Sequence, residues 1–525
     1  MDFHTEVLVI GGGITGVGIA RDLVLRGIET ILVEKGDLAS GATGRCHGLL
    51  HSGARYMVKD PQSAEECMSE NKILKKIAAS TIEDTGGLFV GLPGDDEKYI
   101  DKFFLAADKI GIETQSLTPS QAKRLEPNLS DDAKVIVRVP DAAVDPFELT
   151  VANAKDAEDR GAIIRRHTEV LNLIVEDGRI EGVVVKDRVR GETHKIRAKY
   201  VVNATGAWVG KVAKLAGVKV PLSLSKGSLI VFNRRINNSV INRLRQPDDG
   251  DIIVPNEPTT IIGTTSIKVG DPEDFSVLQR EVELMMRQAS LLLPPATEAR
   301  VIRAYAGIRP LLSYGGEAGR NISRSFTVID HGETDQMSGL ISILGGKLTT
   351  YRLMAEKIVN LVAKDLGVHI PCRTAEIPLP GSEDGFFYKL EDRLSKIELK
   401  KDKEVVGVEE IVCDCELVTK DEVIKVIKET GTKDLKDIQH RTRVGMGSCQ
   451  GGFCTYRLLG ILHELDMVPD YEANDILIKF LEERWRGIRP VLWGDQLREE
   501  QLVEGIYLGI FALDKVKPFL GKRKL

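Results

Sequence analysis

The sequence predicts an α/β fold. A Rossmann-like nucleotide-binding domain is interleaved with a second, α+β domain, and a small cysteine-bearing domain and a helical C-terminus follow. Three observations support this prediction: a glycine-rich nucleotide motif between two apolar strands near the N-terminus, further glycine-rich turns after later apolar runs, and four closely spaced cysteines late in the chain. With 525 residues the chain is too long for one hydrophobic core, so about two to four domains are expected.

The N-terminal segment has the order of elements that a dinucleotide site needs. The apolar run 6–10 predicts a buried strand, and residues 11–16 read G-x-G-x-x-G. Apolar residues at helical spacing predict a helix over 14–25, Gly27 ends it, and 29–33 predicts the second strand. The motif therefore stands in a strand–turn–helix–strand unit, which favours dinucleotide binding over a glycine-rich turn of another α/β fold.

Each residue of this motif has a physical role. Gly11 allows the tight turn, Gly13 lets the backbone approach a pyrophosphate, and Gly16 lets helix and strand pack closely. The helix N-terminus favours the negative charge of the pyrophosphate. Glu34 closes the second strand and suits a ribose hydroxyl. The motif alone does not choose between NAD and FAD.

Four of the seven cysteines fall in two close pairs, Cys413 with Cys415 and Cys449 with Cys454. Four thiolates brought together by a fold hold either zinc or an iron–sulfur cluster. The spacings C-x-C and C-x₄-C are neither the usual zinc knuckles nor ferredoxin spacings. A zinc site and unrelated buried thiols remain the alternatives.

Bulk composition excludes several functions. The formal net charge of −6 and the pI of about 6.0 do not suggest nucleic-acid binding, which calls for a basic domain or stripe. No apolar run of 18 residues predicts a transmembrane helix, and the N-terminus lacks the shape of a signal peptide. We expect a cytoplasmic protein whose cysteines are ligands rather than disulfides.

Further stretches resemble one enzyme family. Residues 36–45 and 50–56 resemble the second FAD-binding stretch of glycerol-3-phosphate dehydrogenases, 201–208 resembles the "ATG" motif of FAD oxidoreductases, and 345–352 resembles their C-terminal flavin-contacting turn. The cysteine motif resembles the 2Fe–2S domain typified by bacterioferritin-associated ferredoxin. The chain is identified as a member of the FAD-dependent glycerol-3-phosphate dehydrogenases, in their anaerobic, cluster-bearing branch.

This resemblance implies the domain boundaries. Residues 1–370 would form a Rossmann-like FAD-binding domain interleaved with an α+β substrate (cap) domain, with the FAD sheet drawn from about 1–90, 145–215 and 325–370. Residues 371–405 would form a linker that ends in a solvated helix, 406–458 the 2Fe–2S domain, and 459–525 a helical C-terminal segment.

The resemblance also implies the residues of the site. Ser40, Thr43, Gly206, Gly345, Gly346, Leu348 and Thr349 would join Gly11, Gly13, Gly16 and Glu34 in binding FAD. Arg55, Arg309 and Arg324 would bind the substrate, since guanidinium groups match phosphate oxygens. Arg309 would also stabilise the developing oxyanion, and Lys347 would hold negative charge on the reduced flavin. His51 is a candidate base, because Leu229 stands where aerobic relatives tend to carry a histidine.

The implied reaction is oxidation of sn-glycerol 3-phosphate to dihydroxyacetone phosphate, with electrons leaving through the cluster one at a time. The implied partners are a second subunit that contains flavin, and a membrane-bound iron–sulfur subunit, through which the chain would reach quinone and associate peripherally with the membrane. Two rivals remain: an FAD-dependent dehydrogenase of proline, sarcosine or glycine, and a docking protein with a vestigial FAD domain. Three arginines argue against the first, and the intact nucleotide motif argues against the second.

Overall fold

The computed structural model describes residues 2–313, 322–391 and 410–515. Its first sheet is mostly parallel and has eight strands. The strands of this FAD sheet are Asp2–Ile10, Thr30–Val33, Ile163–Arg165, Thr168–Glu176, Arg179–Asp187, Thr193–Asn203, Phe326–Asp330 and Leu340–Gly345.

The four parallel strands at the centre of the FAD sheet determine where a ligand can bind. Strand Asp2–Ile10 pairs in parallel with Thr30–Val33 on one side and with Thr193–Asn203 on the other, and Leu340–Gly345 extends the sheet beyond Thr193–Asn203. The carboxyl ends of these four strands therefore meet at one edge, where open α/β sheets bind ligands. The glycine-rich turns of the sequence follow three of these four ends.

Helices pack against this sheet, and an apolar core lies between them and the strands. Helix Ile14–Leu25 packs against Pro146–Asp159 and Tyr351–Asp365, and buried Val, Leu, Ile and Ala side chains fill the space between them and the sheet. Gly18 permits this close packing, because a Cβ there would lie 2.8 Å from the Tyr351 ring. This packing fixes the first helix with its N-terminus beside the carboxyl ends of the parallel strands.

A second sheet of nine strands forms the cap. Its strands are Gly87–Gly91, Gln115–Leu117, Val135–Val139, Leu222–Phe232, Val240–Arg243, Ile252–Asn256, Thr259–Gly263, Ile267–Val269 and Val301–Leu312. The long antiparallel pair of Leu222–Phe232 with Val301–Leu312 lies next to the FAD sheet. The strand-like runs that the sequence places at 228–232, 252–254 and 260–263 are strands in the structure.

The remaining strands are short. Leu49–Leu50, Ile82–Glu83 and Ala142–Val144 form a small antiparallel sheet, and Ile411–Cys413 pairs with Val418–Thr419. The other α-helices of the described residues are Pro61–Ile77, Glu97–Ile110, Pro119–Leu125, Val209–Leu215, Gln279–Leu292, His331–Asp335, Lys420–Thr430, Leu435–Thr442, Thr455–Glu464, Asp470–Ile488 and Gly494–Glu504.

The C-terminal part, which we call the cluster module, comprises residues 410–515. A capping box between Thr419 and Glu422 starts its first helix, and Gly431 in the left-handed region ends it. The module has its own buried core and packs against both the FAD domain and the cap. The solvated helix expected before residue 405 lies outside the described residues, as do residues 516–525 of the predicted helical C-terminal segment.

No helix within the ranges that the structure describes is long and apolar enough to cross a membrane.

Candidate functional site

Gly11 and Gly16 of the nucleotide motif lie so close to other backbone atoms that a side chain would not fit at either position. Gly11 has a φ of +113°, and a Cβ on it would lie 2.6 Å from the carbonyl oxygen of Ala204 at the end of the neighbouring strand. A Cβ on Gly16 would collide with the carbonyl oxygen of Gly11. At Gly13 the nearest atom that a Cβ would meet is Thr43 Oγ1, at 3.2 Å, so this backbone faces open space. The turn thus has the shape that a pyrophosphate needs.

Side chains from the next segment complete the turn. Glu34 accepts hydrogen bonds from the backbone N–H of Gly12 at 2.7 Å and of Gly36 at 2.8 Å. Thr43 Oγ1 accepts a hydrogen bond from the N–H of Ile14 at 3.2 Å, so it lies directly at the helix N-terminus. Both residues line a cleft of about 1260 Å³ at the carboxyl edge of the FAD sheet.

Most of the predicted cofactor residues line this cleft. Gly11, Gly13, Glu34, Ser40, Thr43, Gly206, Gly345, Gly346 and Leu348 are on its wall. Gly16 does not line the cleft, and its role is the close packing of helix and strand. Thr349 is buried beneath the cleft, where its Oγ1 accepts a hydrogen bond from the backbone N–H of His51 at 3.0 Å. The backbone at Gly13, the acid at the strand end and the volume of the cleft fit FAD.

All five residues predicted for the substrate side line the same cleft: His51, Arg55, Arg309, Arg324 and Lys347. They come from the FAD-contacting segment, a cap strand and the turn after the last strand of the FAD sheet. Four cationic side chains therefore face one space beside the predicted flavin position, which favours an anionic substrate.

Arg309 is positioned by the cap. Its guanidinium donates hydrogen bonds to Thr264 Oγ1 and to the carbonyl oxygen of Thr265. The space that it occupies exists because residue 227 on the paired strand is glycine, where a Cβ would collide with the guanidinium. Two cap strands and the 264–265 turn thus fix the direction of Arg309.

The other cations are also held by neighbours. Arg55 forms a buried ion pair with Asp251, 3.1 Å from Nη2 to Oδ2. Lys347 donates a hydrogen bond to the carbonyl oxygen of Arg324 at 3.1 Å, and its ammonium lies 4.8 Å from the centre of the Tyr56 ring. Asp60 accepts a hydrogen bond from the backbone N–H of Arg324, which fixes the main chain at that residue. The contacts of Arg55 and Lys347 place these two cations before any substrate arrives.

His51 lies in a buried, cationic environment. Burial lowers its pKa well below the ordinary value, and the charges of His47, Lys347 and Arg55 lower it further. Its Nε2 lies 3.4 Å from Tyr56 Oη, and its ring is 6.0 Å from that of His47, whose pKa burial lowers to about 3. His51 is therefore neutral at physiological pH and able to accept a hydrogen bond.

Sequence reasoning missed three residues of this site. Tyr56 stands in a stretch that resembles the family and His47 lies between two such stretches, but their roles became visible only from their contacts with His51 and Lys347. Asp251 is 196 positions from Arg55 in a polar loop, and no local signal in the sequence joins them.

The four motif cysteines converge in the cluster module. Cys415 and Cys449 have sulfurs 3.7 Å apart, and Cys413 is hydrogen-bonded with Cys454. The hydrogen bond within each sulfur pair lowers the pKa of one thiol, Cys449 or Cys413, and raises the pKa of its partner, Cys415 or Cys454. Among the described side chains no group of three or more is arranged to hold one metal ion. Two sulfur pairs fit the two irons of a 2Fe–2S cluster better than one tetrahedral zinc.

Ion pairs attach the cluster module directly to the FAD-contacting segment. Arg441 makes two hydrogen bonds with the buried carboxylate of Asp37, at 2.6 and 2.8 Å. Although burial raises the pKa of Asp37, the contacts with Arg441 and His440 outweigh it, and this pKa lies well below its ordinary value. Arg443 pairs with Asp145, the N-cap of helix Pro146–Asp159, at 2.7 Å. The module therefore supports the loop that lines the cleft.

We expect the change Arg441→Met to lower the free energy of unfolding by about 3–5 kcal/mol, because it leaves the Asp37 carboxylate buried without its partner. The matched control is Arg457→Met, which removes a partly exposed pair with Asp414 and should cost about 0–1 kcal/mol. Urea unfolding of both variants measures the difference. Equal losses of unfolding free energy in the two variants would contradict a stabilising role for the buried Asp37–Arg441 pair.

Comparison with known proteins is consistent with this architecture. The family of FAD dependent oxidoreductases matches residues 6–352, and the BFD-like [2Fe-2S] binding domain matches residues 411–464. The chain is 42% identical to one subunit of the anaerobic glycerol-3-phosphate dehydrogenase of Escherichia coli K12, over 97% of each chain. The chain belongs to the family formed by this subunit in anaerobic glycerol-3-phosphate dehydrogenases.

Solved structures agree with membership in this family. The glycerol-3-phosphate dehydrogenase of Bacillus halodurans, complexed with FAD, has a TM-score of 0.64 and 25% identity, over 94% of this chain and 96% of its own. The glycine oxidase of Geobacillus kaustophilus, at 21% identity and a TM-score of 0.56, covers 69% of this chain and 95% of its own, and shares the fold alone. The cofactors of the chain are thus FAD and a 2Fe–2S cluster.

Proposed function

We propose that this protein oxidises sn-glycerol 3-phosphate to dihydroxyacetone phosphate and passes the electrons through its 2Fe–2S cluster to other subunits. The observation that carries this proposal is the convergence of Arg55, Arg309, Arg324 and Lys347 on the cleft that holds FAD. A phosphate monoester carries close to two negative charges at neutral pH, whereas the carboxylate of an amino acid carries one. Nearly full-length similarity to proteins named for this activity supports the same substrate.

The roles of the residues follow from their positions. Bound FAD supplies the hydride acceptor. Arg55 and Arg324 bind the phosphate, and the Asp251 and Asp60 contacts keep them in place. Arg309 stabilises the negative charge that develops on the C2 oxygen as the hydride leaves. Neutral His51 accepts the hydroxyl proton, and Lys347 balances the negative charge gained beside the Gly345–Gly346 turn.

Electrons leave through the cluster module. We infer that the chain works in a complex with a second subunit, which contains flavin, and with a membrane-bound iron–sulfur subunit. Quinone is reached through these partners, and the chain associates with the membrane from the cytoplasmic side through them. The relatives are themselves named as one subunit of an enzyme, which supports a complex of several subunits. Cys415 and Cys449 are partly exposed, whereas Cys413 and Cys454 are buried, so one sulfur pair has access to solvent or a partner.

A substrate panel tests the function directly. We expect sn-glycerol 3-phosphate to support turnover with an artificial electron acceptor, with kcat/KM at least about 100-fold above that of proline, sarcosine and glycine, because these lack the phosphate that the arginines bind. Glycerol, which also lacks it, is the matched control. A higher kcat/KM with any of the amino acids would replace this proposal with an amino-acid dehydrogenase.

The pH dependence tests the role of His51. The active form is the neutral imidazole, so activity falls only when the pH drops through its pKa, which burial and neighbouring cations hold well below 6.5. We therefore expect kcat/KM to stay level between pH 6.5 and 8 and its acid limb to lie below pH 6.5. His51→Asn should lower kcat/KM by about 10²- to 10⁴-fold and remove that limb. If wild-type protein shows an acid limb centred above pH 6.5 and His51→Asn does not, the lowered pKa of His51 is contradicted.

A further inference from the structure

Positive charge accumulates where the cluster module meets the FAD domain. Four cationic side chains, Arg45, Arg303, Lys436 and Arg486, surround the single carboxylate of Glu483. Burial alone would raise the pKa of Glu483, but these four cations outweigh it and lower that pKa to about 2. Glu483 is therefore an anion throughout the physiological range, and it neutralises only part of the surrounding charge.

Glu483 bonds directly with two of the four cations. Its carboxylate oxygens lie 3.3 Å from Lys436 Nζ and 3.0 Å from Arg486 Nη1. The ion pairs of the described residues include neither Arg45 nor Arg303, and Arg45 donates a hydrogen bond to the carbonyl oxygen of Ser40. The Arg45 guanidinium lies 4.2 Å from the centre of the Phe275 ring. Nη1 of Arg303 lies 3.5 Å from Gln450 Oε1, next to the cluster ligand Cys449.

Three of these cations, Arg45, Arg303 and Lys436, are partly buried, whereas Arg486 is exposed. Burial lowers the pKa of Arg45, of Arg303 and of Lys436. The nearby Glu273 is already engaged by Lys35 at 3.1 Å and by the indole N–H of Trp208 at 2.6 Å. Buried charges are normally paired, because desolvating an unpaired charge costs several kcal/mol. Partly buried cations without an ion-pair partner among the described residues, as Arg45 and Arg303 are, therefore favour the binding of an anion.

The cations face an open space of suitable size. A cavity of about 1750 Å³ lies between the FAD-contacting segment, the cap strand Val301–Leu312 and helix Asp470–Ile488 of the cluster module. Arg45, Lys436 and Arg486 line both this cavity and the FAD cleft, whereas Arg303 lines the cavity alone. The two spaces meet at Glu483.

We propose that Arg45, Arg303, Lys436 and Arg486 form a second anion-binding site, which takes a phosphate group at the junction of the FAD cleft and the cluster module. A group with two negative charges offsets the surplus of cations, and arginine forks match phosphate oxygens. The phosphate is that of a free phosphate compound in the interface cavity, because the pyrophosphate of FAD is assigned to the Gly11–Gly16 turn. The site is separate from the substrate arginines, and it does not depend on the identity of the substrate.

Binding of inorganic phosphate to the protein loaded with FAD and cluster tests this site. Titration calorimetry is done on an Arg324→Met background, in which phosphate binding at the substrate site is weakened, with the added change Arg303→Met or Lys436→Met. FAD affinity of each variant is measured in parallel by fluorescence of the released flavin. Arg498→Met, which removes an exposed arginine paired with Asp495, is the matched control.

The affinities for phosphate and for FAD decide the proposal. We expect Arg303→Met and Lys436→Met each to weaken phosphate binding at least tenfold with FAD affinity unchanged. Weaker FAD binding with unchanged phosphate binding would assign these cations to the cofactor and overturn the proposal. The control changes neither. Unchanged phosphate and FAD affinities in both variants, with normal circular dichroism and cluster absorbance, would overturn the proposal.

Discussion

Replacing Arg309 by methionine should lower kcat/KM for sn-glycerol 3-phosphate by about 10²- to 10³-fold, because the variant loses the donor aimed at the developing C2 oxyanion. FAD should remain bound, since Arg309 lies on a cap strand and the pyrophosphate turn does not touch it. Arg309→Lys should recover only part of the loss, because an ammonium keeps the charge without the planar fork that Thr264 and Thr265 orient.

Steady-state kinetics on protein with known FAD content measures the loss of kcat/KM in these variants. Arg197→Met is the matched control, because Arg197 is a β-strand arginine paired with Glu176 at 2.9 Å on the surface, away from the cleft. It should leave kcat/KM unchanged. Wild-type kcat/KM in Arg309→Met with full FAD occupancy would remove Arg309 from the mechanism.

Replacing Cys449 by serine should abolish the cluster and leave the flavin chemistry intact. Cys449 is paired with Cys415, and without it one iron lacks a thiolate ligand. We expect iron content to fall from two per chain to near zero, while substrate still reduces the flavin. Turnover that depends on electrons leaving through the cluster should be lost.

Iron analysis, visible absorbance and anaerobic flavin reduction measure these effects. Cys372→Ser is the control, because Cys372 is partly buried beside Thr374 and remote from the motif, and its loss should leave the cluster in place. If Cys449→Ser retains two irons, the ligand assignment is wrong. If it loses flavin reduction as well, the module is needed to hold the FAD-contacting segment, as the Asp37–Arg441 pair makes physically possible.

The sequence predicted those parts of the molecule whose signals are local. The strand–turn–helix of the nucleotide site depends on neighbouring residues, and helix Ile14–Leu25 has the predicted bounds. The cysteine motif was also recognisable from spacing alone, although the choice between iron–sulfur and zinc needed the resemblance. The structure adds the arrangement in two sulfur pairs.

Contacts between distant segments were not predictable from a single sequence. Asp37 and Arg441 are 404 positions apart, and each by itself looks like an ordinary surface charge. The same holds for Asp251, which fixes Arg55, and for the cations around Glu483, which come from three separate parts of the chain. Packing of the cluster module onto the FAD domain brings Glu483, Lys436 and Arg486 to the cleft, and no periodicity or motif encodes that approach.

The most direct test of the proposed function is the anaerobic absorbance spectrum of the purified protein before and after addition of sn-glycerol 3-phosphate. We predict bleaching of the flavin band together with partial loss of the iron–sulfur absorbance beneath it, as electrons pass from the reduced flavin to the cluster. Proline and sarcosine should leave both bands unchanged. An iron–sulfur spectrum with a flavin that sn-glycerol 3-phosphate does not bleach would contradict the proposed reaction.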